Sequence, residues 1–235
     1  MRNRYETLLF DFGGTLDADG IAWKERMHAH YRAEGLAMKA EAFAPAFFAA
    51  DDPLVGGLPV DADLPATVAS LARNLEVELA RRGQPTASTR GPRVAERFLA
   101  EAVVTLDRNR PLLEALAGRY RLGIVSNFYG NLEAVCRGAG LAKSFAVMVD
   151  SQRVGVEKPD PAIFRAALEP LGARPETTLF IGDSLKRDRE GARRMGMDFL
   201  WIAPPEVAAV EKAASGGALP HPVLTQLLQL EDMLA

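Results

Sequence analysis

The chain has 235 residues, of which 48% are hydrophobic and 25% are charged, and its formal net charge is −3 at pH 7. This is the composition of a globular protein long enough to bury a full core, as one domain with an insertion or as two small domains. The absence of a basic excess argues against a nucleic-acid partner. The single cysteine, Cys136, excludes an internal disulfide and leads us to expect a reducing, cytoplasmic setting.

The N-terminal apolar run is short. Leu8, Leu9 and Phe10 are followed at once by Asp11, which leaves too few apolar residues for a signal peptide. No stretch of 18 uncharged apolar residues occurs elsewhere, so we predict neither a targeting segment nor a membrane span.

The first predicted element is a strand over residues 7–11. The following residues show helical patterns around 22–35, 63–82 and 92–106, with no convincing strand. We therefore predict a helical cap domain over residues 18–107, inserted into a core formed by residues 1–17 and 108–235. Phe43, Phe47 and Phe48 have helical spacing and are expected to pack the cap or to line a substrate entrance.

The second half of the chain alternates short apolar runs with amphipathic stretches. Strands are predicted over 122–125, 145–149, 179–181 and 199–202, and helices over 130–140, 160–171 and 186–195. A last amphipathic helix is predicted over residues 222–234. This alternation is typical of an α/β fold with a Rossmann-like parallel sheet, into which the helical cap domain is inserted.

Three predicted strands are followed directly by polar residues. Asp11 follows the first strand, Ser126 and Asn127 follow another, and Asp183 and Ser184 follow a third. Turn chemistry could explain Ser126 and Asn127, and helix capping could explain Asp183 and Ser184. Because ligands bind at the carboxyl ends of strands in open parallel sheets, however, the three groups are expected to meet in one crevice.

The chemistry of such a crevice suggests a phosphate and a metal ion. Asp11 and Asp183 would repel each other without a cation, and carboxylate oxygens suit Mg²⁺. Gly13, Gly14 and Thr15 could present backbone N–H groups as a nest for phosphate oxygens. Lys158 lies on a loop between a strand and a helix, where its ammonium could neutralise a phosphoryl group.

These residues resemble the haloacid dehalogenase (HAD) superfamily of hydrolases, in which Mg²⁺-dependent phosphatases predominate. Four motifs match in order: Asp11 to Leu16, Val125 to Asn127, Lys158 with Pro159, and Gly182 to Ser184 with Asp188. The resemblance implies a nucleophile, Asp11, that forms an aspartyl-phosphate. It also implies that Ser126 and the Asn127 backbone contact the phosphoryl group and that Lys158 steadies it.

The resemblance further implies a metal site. Mg²⁺ would be held by Asp11, Asp183 and the backbone carbonyl of Gly13. Asp188 would orient Lys158 or a metal-bound water. The expected partner is a small phosphorylated molecule, with specificity supplied by the cap.

Gly13 departs from the family pattern. Similar phosphatases have an aspartate two residues after the nucleophile, where it protonates the leaving oxygen and then activates water. Such a group typically contributes about 10²–10⁴-fold in rate. If only this proton shuttle is missing, Gly13→Asp is expected to raise phosphatase turnover.

Four interpretations remain open. The chain could be a phosphatase or phosphotransferase whose acid comes from elsewhere, with Asp17, Asp19, His28 and His30 as candidates, or whose substrate needs little protonation. It could be an L-2-haloacid dehalogenase, although those enzymes lack the Gly182–Asp183 pair. It could cleave C–P bonds through a cap lysine, Lys24 or Lys39. It could also be a catalytically weak HAD-like protein that acts by binding.

Overall fold

A computed structural model describes residues 4–85, 87–219 and 221–234. The strands are β1 (Thr7–Phe10), β2 (Arg121–Ser126), β3 (Val147–Asp150), β4 (Thr178–Gly182), β5 (Asp198–Ile202) and β6 (Val223–Leu224). The α-helices are α1 (Trp23–Ala33), α2 (Ala40–Asp51), α3 (Leu64–Arg81), α4 (Arg90–Ala117), α5 (Leu132–Gly138), α6 (Ser151–Val154), α7 (Pro161–Leu171), α8 (Glu190–Met195), α9 (Pro205–Ala214) and α10 (Leu230–Leu234).

All six strands pair in parallel, in the order β3-β2-β1-β4-β5-β6. Strand β1 lies inside the sheet, where Phe10 pairs with Ile124 of β2 and with Ile181 of β4. The carboxyl ends of these three strands therefore lie side by side. The predicted α/β class with a Rossmann-like parallel sheet is confirmed.

Both faces of the sheet are covered, which explains why its strands are apolar throughout. Leu8 and Phe10 of β1 belong to a large buried cluster that includes residues of α1 to α4. Leu9 points the other way and belongs to a second cluster, which contains Phe164 of α7 and Phe180 of β4. Alternate residues of one strand thus fix helices on opposite faces.

The helices α1 to α4 lie between β1 and β2 in the chain. Helix α4 has 28 residues and runs through the predicted boundary between residues 107 and 108, so that the boundary falls inside one continuous helix. Within α4, the Asn109 side chain donates a hydrogen bond to the Leu16 carbonyl, 3.1 Å away, in the loop after β1. Helix α4 is therefore anchored to the segment that carries the first motif.

The C-terminal segment differs from its prediction. A single helix was predicted over residues 222–234, but Val223 and Leu224 pair with Trp201 and Ile202 as strand β6, and a short 3₁₀ helix (Leu227–Gln229) and the short helix α10 follow. The edge of β5 provides backbone groups for pairing, which a helical pattern alone could not reveal. Among the described residues, no helix combines the length and the apolar composition that crossing a bilayer requires.

Candidate active site

Asp11 is the first residue after β1 and is held there by two strand neighbours. Its backbone N–H donates to the Ile181 carbonyl at 2.9 Å, which extends the ladder to β4 by one bond. Its side-chain Oδ1 accepts a hydrogen bond from Ser126 Oγ at 2.7 Å, from the end of β2. The hydrogen bond between Asp11 and Ser126 thus brings together two residues that are 115 positions apart in the chain.

Lys158 lies between two carboxylates. Its Nζ is 2.7 Å from Asp11 Oδ1 and 2.7 Å from Asp188 Oδ1, and its side chain is 2% exposed. Burial alone would lower the pKa of Lys158, but the negative charges of Asp11 and Asp188 outweigh this effect and raise the pKa. The ammonium therefore stays charged beside Asp11.

Asp188 positions two parts of the site at once. Besides Lys158, its carboxylate accepts a hydrogen bond from the Ser184 backbone N–H at 2.9 Å. A π-helical turn over Leu185–Arg189 returns the chain so that this contact can form; such turns are frequent at functional sites. A Cβ on Gly182 would lie 2.4 Å from Asp188 Oδ2, so glycine is required for this approach.

Asp183 completes a cluster of three carboxylates. One oxygen of each of Asp11, Asp183 and Asp188 lies within 4.8 Å of the others. Burial, and then the negative charges of Asp11 and Asp188, raise the pKa of Asp183 well above its ordinary value. In the part of the chain that the structure describes, no side chain or backbone N–H donates to the Asp183 carboxylate. A divalent cation with oxygen ligands would fit this unbalanced charge.

The predicted phosphate nest differs from what the structure shows. The Gly14 N–H donates to Asp17 Oδ1 at 2.7 Å, and the Thr15 N–H donates to the Phe12 carbonyl at 3.2 Å. These two amides are used within the loop, which corrects the prediction that they present themselves to substrate. Gly14 instead makes room for the carboxylate cluster, because a Cβ there would lie 2.6 Å from Asp183 Oδ2.

The Asn127 side chain forms two hydrogen bonds with the backbone of Lys158. Its Oδ1 accepts the Lys158 backbone N–H at 2.8 Å, and its Nδ2 donates to the Lys158 carbonyl at 3.3 Å. The side chain therefore fixes the loop that carries Lys158. Contact of the Asn127 backbone with a phosphoryl group stays a prediction.

The space beside Gly13 is occupied. A Cβ built on Gly13 would lie 3.3 Å from Nε1 of Trp23, the first residue of α1. This indole N–H donates to Asp17 Oδ2 at 2.7 Å, and the same oxygen accepts from Arg26 at 2.9 Å. Burial raises the pKa of Asp17, although the charge of Arg26 opposes this. The first residue of α1 thus crowds the place where an acid side chain at position 13 would begin.

The four acids and bases that the sequence offered as replacements have other partners. Asp17 holds Gly14, Trp23 and Arg26, as described above. Asp19 forms two hydrogen bonds with Arg108. The His28 ring pairs with the Met38 carbonyl, and His30 pairs with Glu101. Within the described part of the chain, none of the four lines the cavity that lies over Asp11.

A cavity of about 200 Å³ lies over Asp11, between the sheet edge and the inserted helices. The predicted residues Asp11, Gly13, Ser126, Asn127, Lys158 and Asp183 line it. So do Trp23, Lys24, Glu25, Phe47, Phe48, Asp51, Tyr129 and Arg187. Of this second group, the sequence predicted Phe47 and Phe48 as a possible lining of the substrate entrance and offered Lys24 as a candidate lysine for C–P cleavage. It missed Asp51, Tyr129 and Arg187, since no motif or spacing marked them.

Comparison with known families identifies the class. The model of the haloacid dehalogenase-like hydrolases matches residues 5–196. The chain belongs to this family.

Particular relatives match over shorter segments. The chain is 42% identical over 86 residues to haloacid dehalogenase-like hydrolase domain-containing protein 3 of Bos taurus, covering 37% of this chain and 34% of the relative. It is 38% identical over 109 residues to phosphoserine phosphatase of Thermus thermophilus, covering 46% and 39%. These alignments span less than half the length of either relative.

A solved structure shares the whole fold. The L-2-haloacid dehalogenase from Xanthobacter autotrophicus superposes with a TM-score of 0.57 at 18% identity, covering 98% of each chain. At this level of identity the likeness concerns the architecture alone. The protein is therefore a HAD-family hydrolase by sequence, built on the fold that dehalogenases also use.

Proposed function

We propose that the protein transfers the phosphoryl group of a small phosphorylated molecule to Asp11 and then to water. The observation that carries this proposal is the state of the Asp11 carboxylate. Its Oδ1 is held by Ser126 and Lys158, and within the described residues its Oδ2 accepts no hydrogen bond. Asp11 also lines the cavity, so one fixed carboxylate with a free oxygen is presented to a ligand.

The neighbours of Asp11 have matching roles. Lys158, held by Asp188, balances the negative charge of the nucleophile and of the incoming phosphoryl group. The Ser126 hydroxyl, which now donates to Asp11, is close enough to turn to a phosphoryl oxygen. Asp11, Asp183 and the Gly13 carbonyl would hold Mg²⁺, with Asp188 behind them. Bound there, Mg²⁺ would neutralise phosphate charge and align the substrate.

Several observations favour phosphate over the other substrates considered. Three clustered carboxylates with one ammonium, Lys158, among them favour a bound divalent cation, whereas the dehalogenases of this family are not expected to need one. Phosphonate cleavage would require a reactive cap lysine, but Lys24 pairs with Glu25 at 3.0 Å, and Lys39 lies outside the cavity lining. A relative aligned over 109 residues is named phosphoserine phosphatase.

The test is Mg²⁺-dependent hydrolysis of p-nitrophenyl phosphate, acetyl phosphate and an alkyl phosphate by wild type and Asp11→Asn. We expect wild type to hydrolyse at least the activated phosphates and Asp11→Asn to lose at least about 10³-fold in kcat, because the amide is not a nucleophile. Asp61→Asn, the same change at an exposed carboxylate outside the cavity lining, should retain wild-type kinetics.

Two outcomes would contradict the proposal. Turnover that survives in Asp11→Asn would exclude the covalent step. The absence of turnover in wild type, together with binding of Mg²⁺ and phosphate, would favour the alternative that the protein acts by binding a phosphorylated ligand. Gly13 motivates that alternative, since it carries no proton donor.

A further inference from the structure

Asp51 is the last residue of α2, and its side chain reaches the cavity above Asp11. Its Oδ1 accepts a hydrogen bond from the Tyr129 hydroxyl at 2.5 Å, and Tyr129 lies in the loop after β2. Both residues line the same cavity as Asp11, Gly13 and Lys158. A carboxyl group from the inserted helices is therefore fixed in the place where a substrate would extend away from the phosphoryl group.

 Other groups in the cavity are less suited to donate a proton. Glu25 is the other carboxyl group that the inserted helices contribute to the described lining, but its side chain is 52% exposed and its carboxylate pairs with Lys24 at 3.0 Å. The Tyr129 hydroxyl already donates to Asp51, and burial, followed by the charge of Asp51, raises the pKa of Tyr129 well above its ordinary value. Asp51 is therefore the best-placed proton donor among the described cavity residues.

We propose that Asp51 supplies, from the inserted helices, the proton that Gly13 cannot supply from the sheet edge. This inference rests on the proposed phosphoryl transfer. As an Asp11 oxygen bonds to phosphorus and the phosphorus–oxygen ester bond breaks, the ester oxygen takes the proton of Asp51 and leaves as an alcohol. Asp51, now a carboxylate, takes a proton from the water that attacks the aspartyl-phosphate, which releases phosphate and restores Asp11.

The surroundings of Asp51 keep a proton available near neutral pH. Burial raises the pKa of Asp51 to about 6, and the Asp52 charge adds to this effect, whereas the Tyr129 hydrogen bond and the Arg187 charge lower the pKa. The other charged groups that share the cavity are Asp11, Lys24, Glu25, Lys158 and Asp183. A carboxyl group with a pKa near the working pH can both give and take a proton.

The test compares leaving groups. In Asp51→Asn we expect kcat/KM for an alkyl phosphate to fall by about 10²-fold or more, because the alkoxide needs protonation. For p-nitrophenyl phosphate, whose leaving group is stable as an anion, the fall should be less than about 10-fold. Asp61→Asn again serves as the matched control, with both substrates unchanged.

A pH profile separates proton donation from a merely structural link between α2 and the β2 loop. The donor must be protonated, so alkyl-phosphate kcat/KM in wild type should fall as pH rises through about 6. Tyr129→Phe removes a hydrogen bond that lowers the pKa of Asp51, so this fall should move to higher pH. A structural role would leave its position unchanged.

Each remaining outcome counts against the inference. Equal losses for both substrates in Asp51→Asn would assign Asp51 a structural role, and no loss would remove it from the reaction. A selective loss of alkyl-phosphate turnover in Glu25→Gln instead would assign the proton to Glu25. In all three cases Asp11-dependent hydrolysis of p-nitrophenyl phosphate by wild type would leave the proposed function standing. If wild type hydrolyses no phosphate, both fail.

Discussion

At the scale of single residues, the indole of Trp23 limits which side chains can be introduced at position 13. The Trp23 Nε1 lies 3.3 Å from the point where a Cβ at position 13 would be, and its N–H is held by a hydrogen bond to the buried Asp17. The sequence suggested that adding an aspartate at position 13 would restore the missing proton shuttle. The new side chain would require the indole to shift by a few tenths of an ångström, which its hydrogen bond to Asp17 opposes.

Restoring the shuttle should therefore require two changes. In the Asp51→Asn background, we expect Gly13→Asp alone to give no gain in alkyl-phosphate turnover. Gly13→Asp with Trp23→Phe, which removes the nearest atom, should regain about 10-fold or more of the lost rate. Steady-state kinetics on purified variants would check this, with Trp23→Phe in the same background as the control. A full gain from Gly13→Asp alone would show that Trp23 moves aside easily.

At the scale of elements, Asp150 joins three segments beside the site. It ends β3, and its carboxylate accepts hydrogen bonds from the backbone N–H groups of Gly130, Leu132 and Gln152 at 2.8–3.1 Å. It thereby caps α6 and fixes the loop between β2 and α5, which carries Tyr129. Burial raises the pKa of Asp150, although these three backbone N–H groups oppose the effect.

Removing this carboxylate should destabilise the protein more than removing an ordinary helix cap. Asp150→Ala leaves three backbone N–H donors without this partner, of which that of Leu132 is buried, and we expect the free energy of unfolding to fall by about 3 kcal/mol. Asp160→Ala is the control, because Asp160 is exposed and, among the described residues, its side chain accepts only the Ala162 N–H, at the start of α7. Its loss should cost about 1 kcal/mol. Urea unfolding followed by circular dichroism would measure both; equal losses would contradict the expectation.

The strand ends and loops around the site also show which parts of the structure could be predicted from the sequence. Three of the four motifs lie at strand ends, because apolar runs stop at polar residues there, so the sheet and the positions of Asp11, Ser126 and Asp183 could be predicted. Asp51 and Asp150 could not, since their roles depend on loops that meet only after folding. The pairing of β6 could not be predicted either, because a two-residue strand carries no periodicity of its own.

At the scale of the whole molecule, the sheet edge concentrates negative charge that the protein alone does not balance. Asp183 is the clearest case, because burial and the charges of Asp11 and Asp188 raise its pKa well above 3.8. Without a metal ion, Asp183 then binds protons more readily in the folded protein than in the unfolded chain at pH values between 3.8 and the raised pKa. The contribution of Asp183 to the free energy of unfolding therefore falls as pH rises through this window.

Asp183→Asn should therefore have opposite effects with and without Mg²⁺. Without the ion, the variant should have a higher Tm than wild type at pH 7 and a flatter dependence of stability on pH, because a disfavoured charge is gone. With Mg²⁺ at 100 times its Kd, wild type should gain about 2.7 kcal/mol, whereas the variant should gain almost nothing. Thermal melts with Mg²⁺ or with EDTA would check this, and Asp61→Asn should behave as wild type.

The parallel sheet has one more consequence, which concerns the order in which the molecule is made. Asp11 and Ser126, which donates to it, are 115 residues apart in the chain. Local contacts such as those within α1 to α4 can form early, whereas contacts between distant segments form only when long loops close. During synthesis Asp11 must therefore wait for Ser126, and longer for Lys158 and Asp183, so the proposed site can assemble only after these later segments have been made.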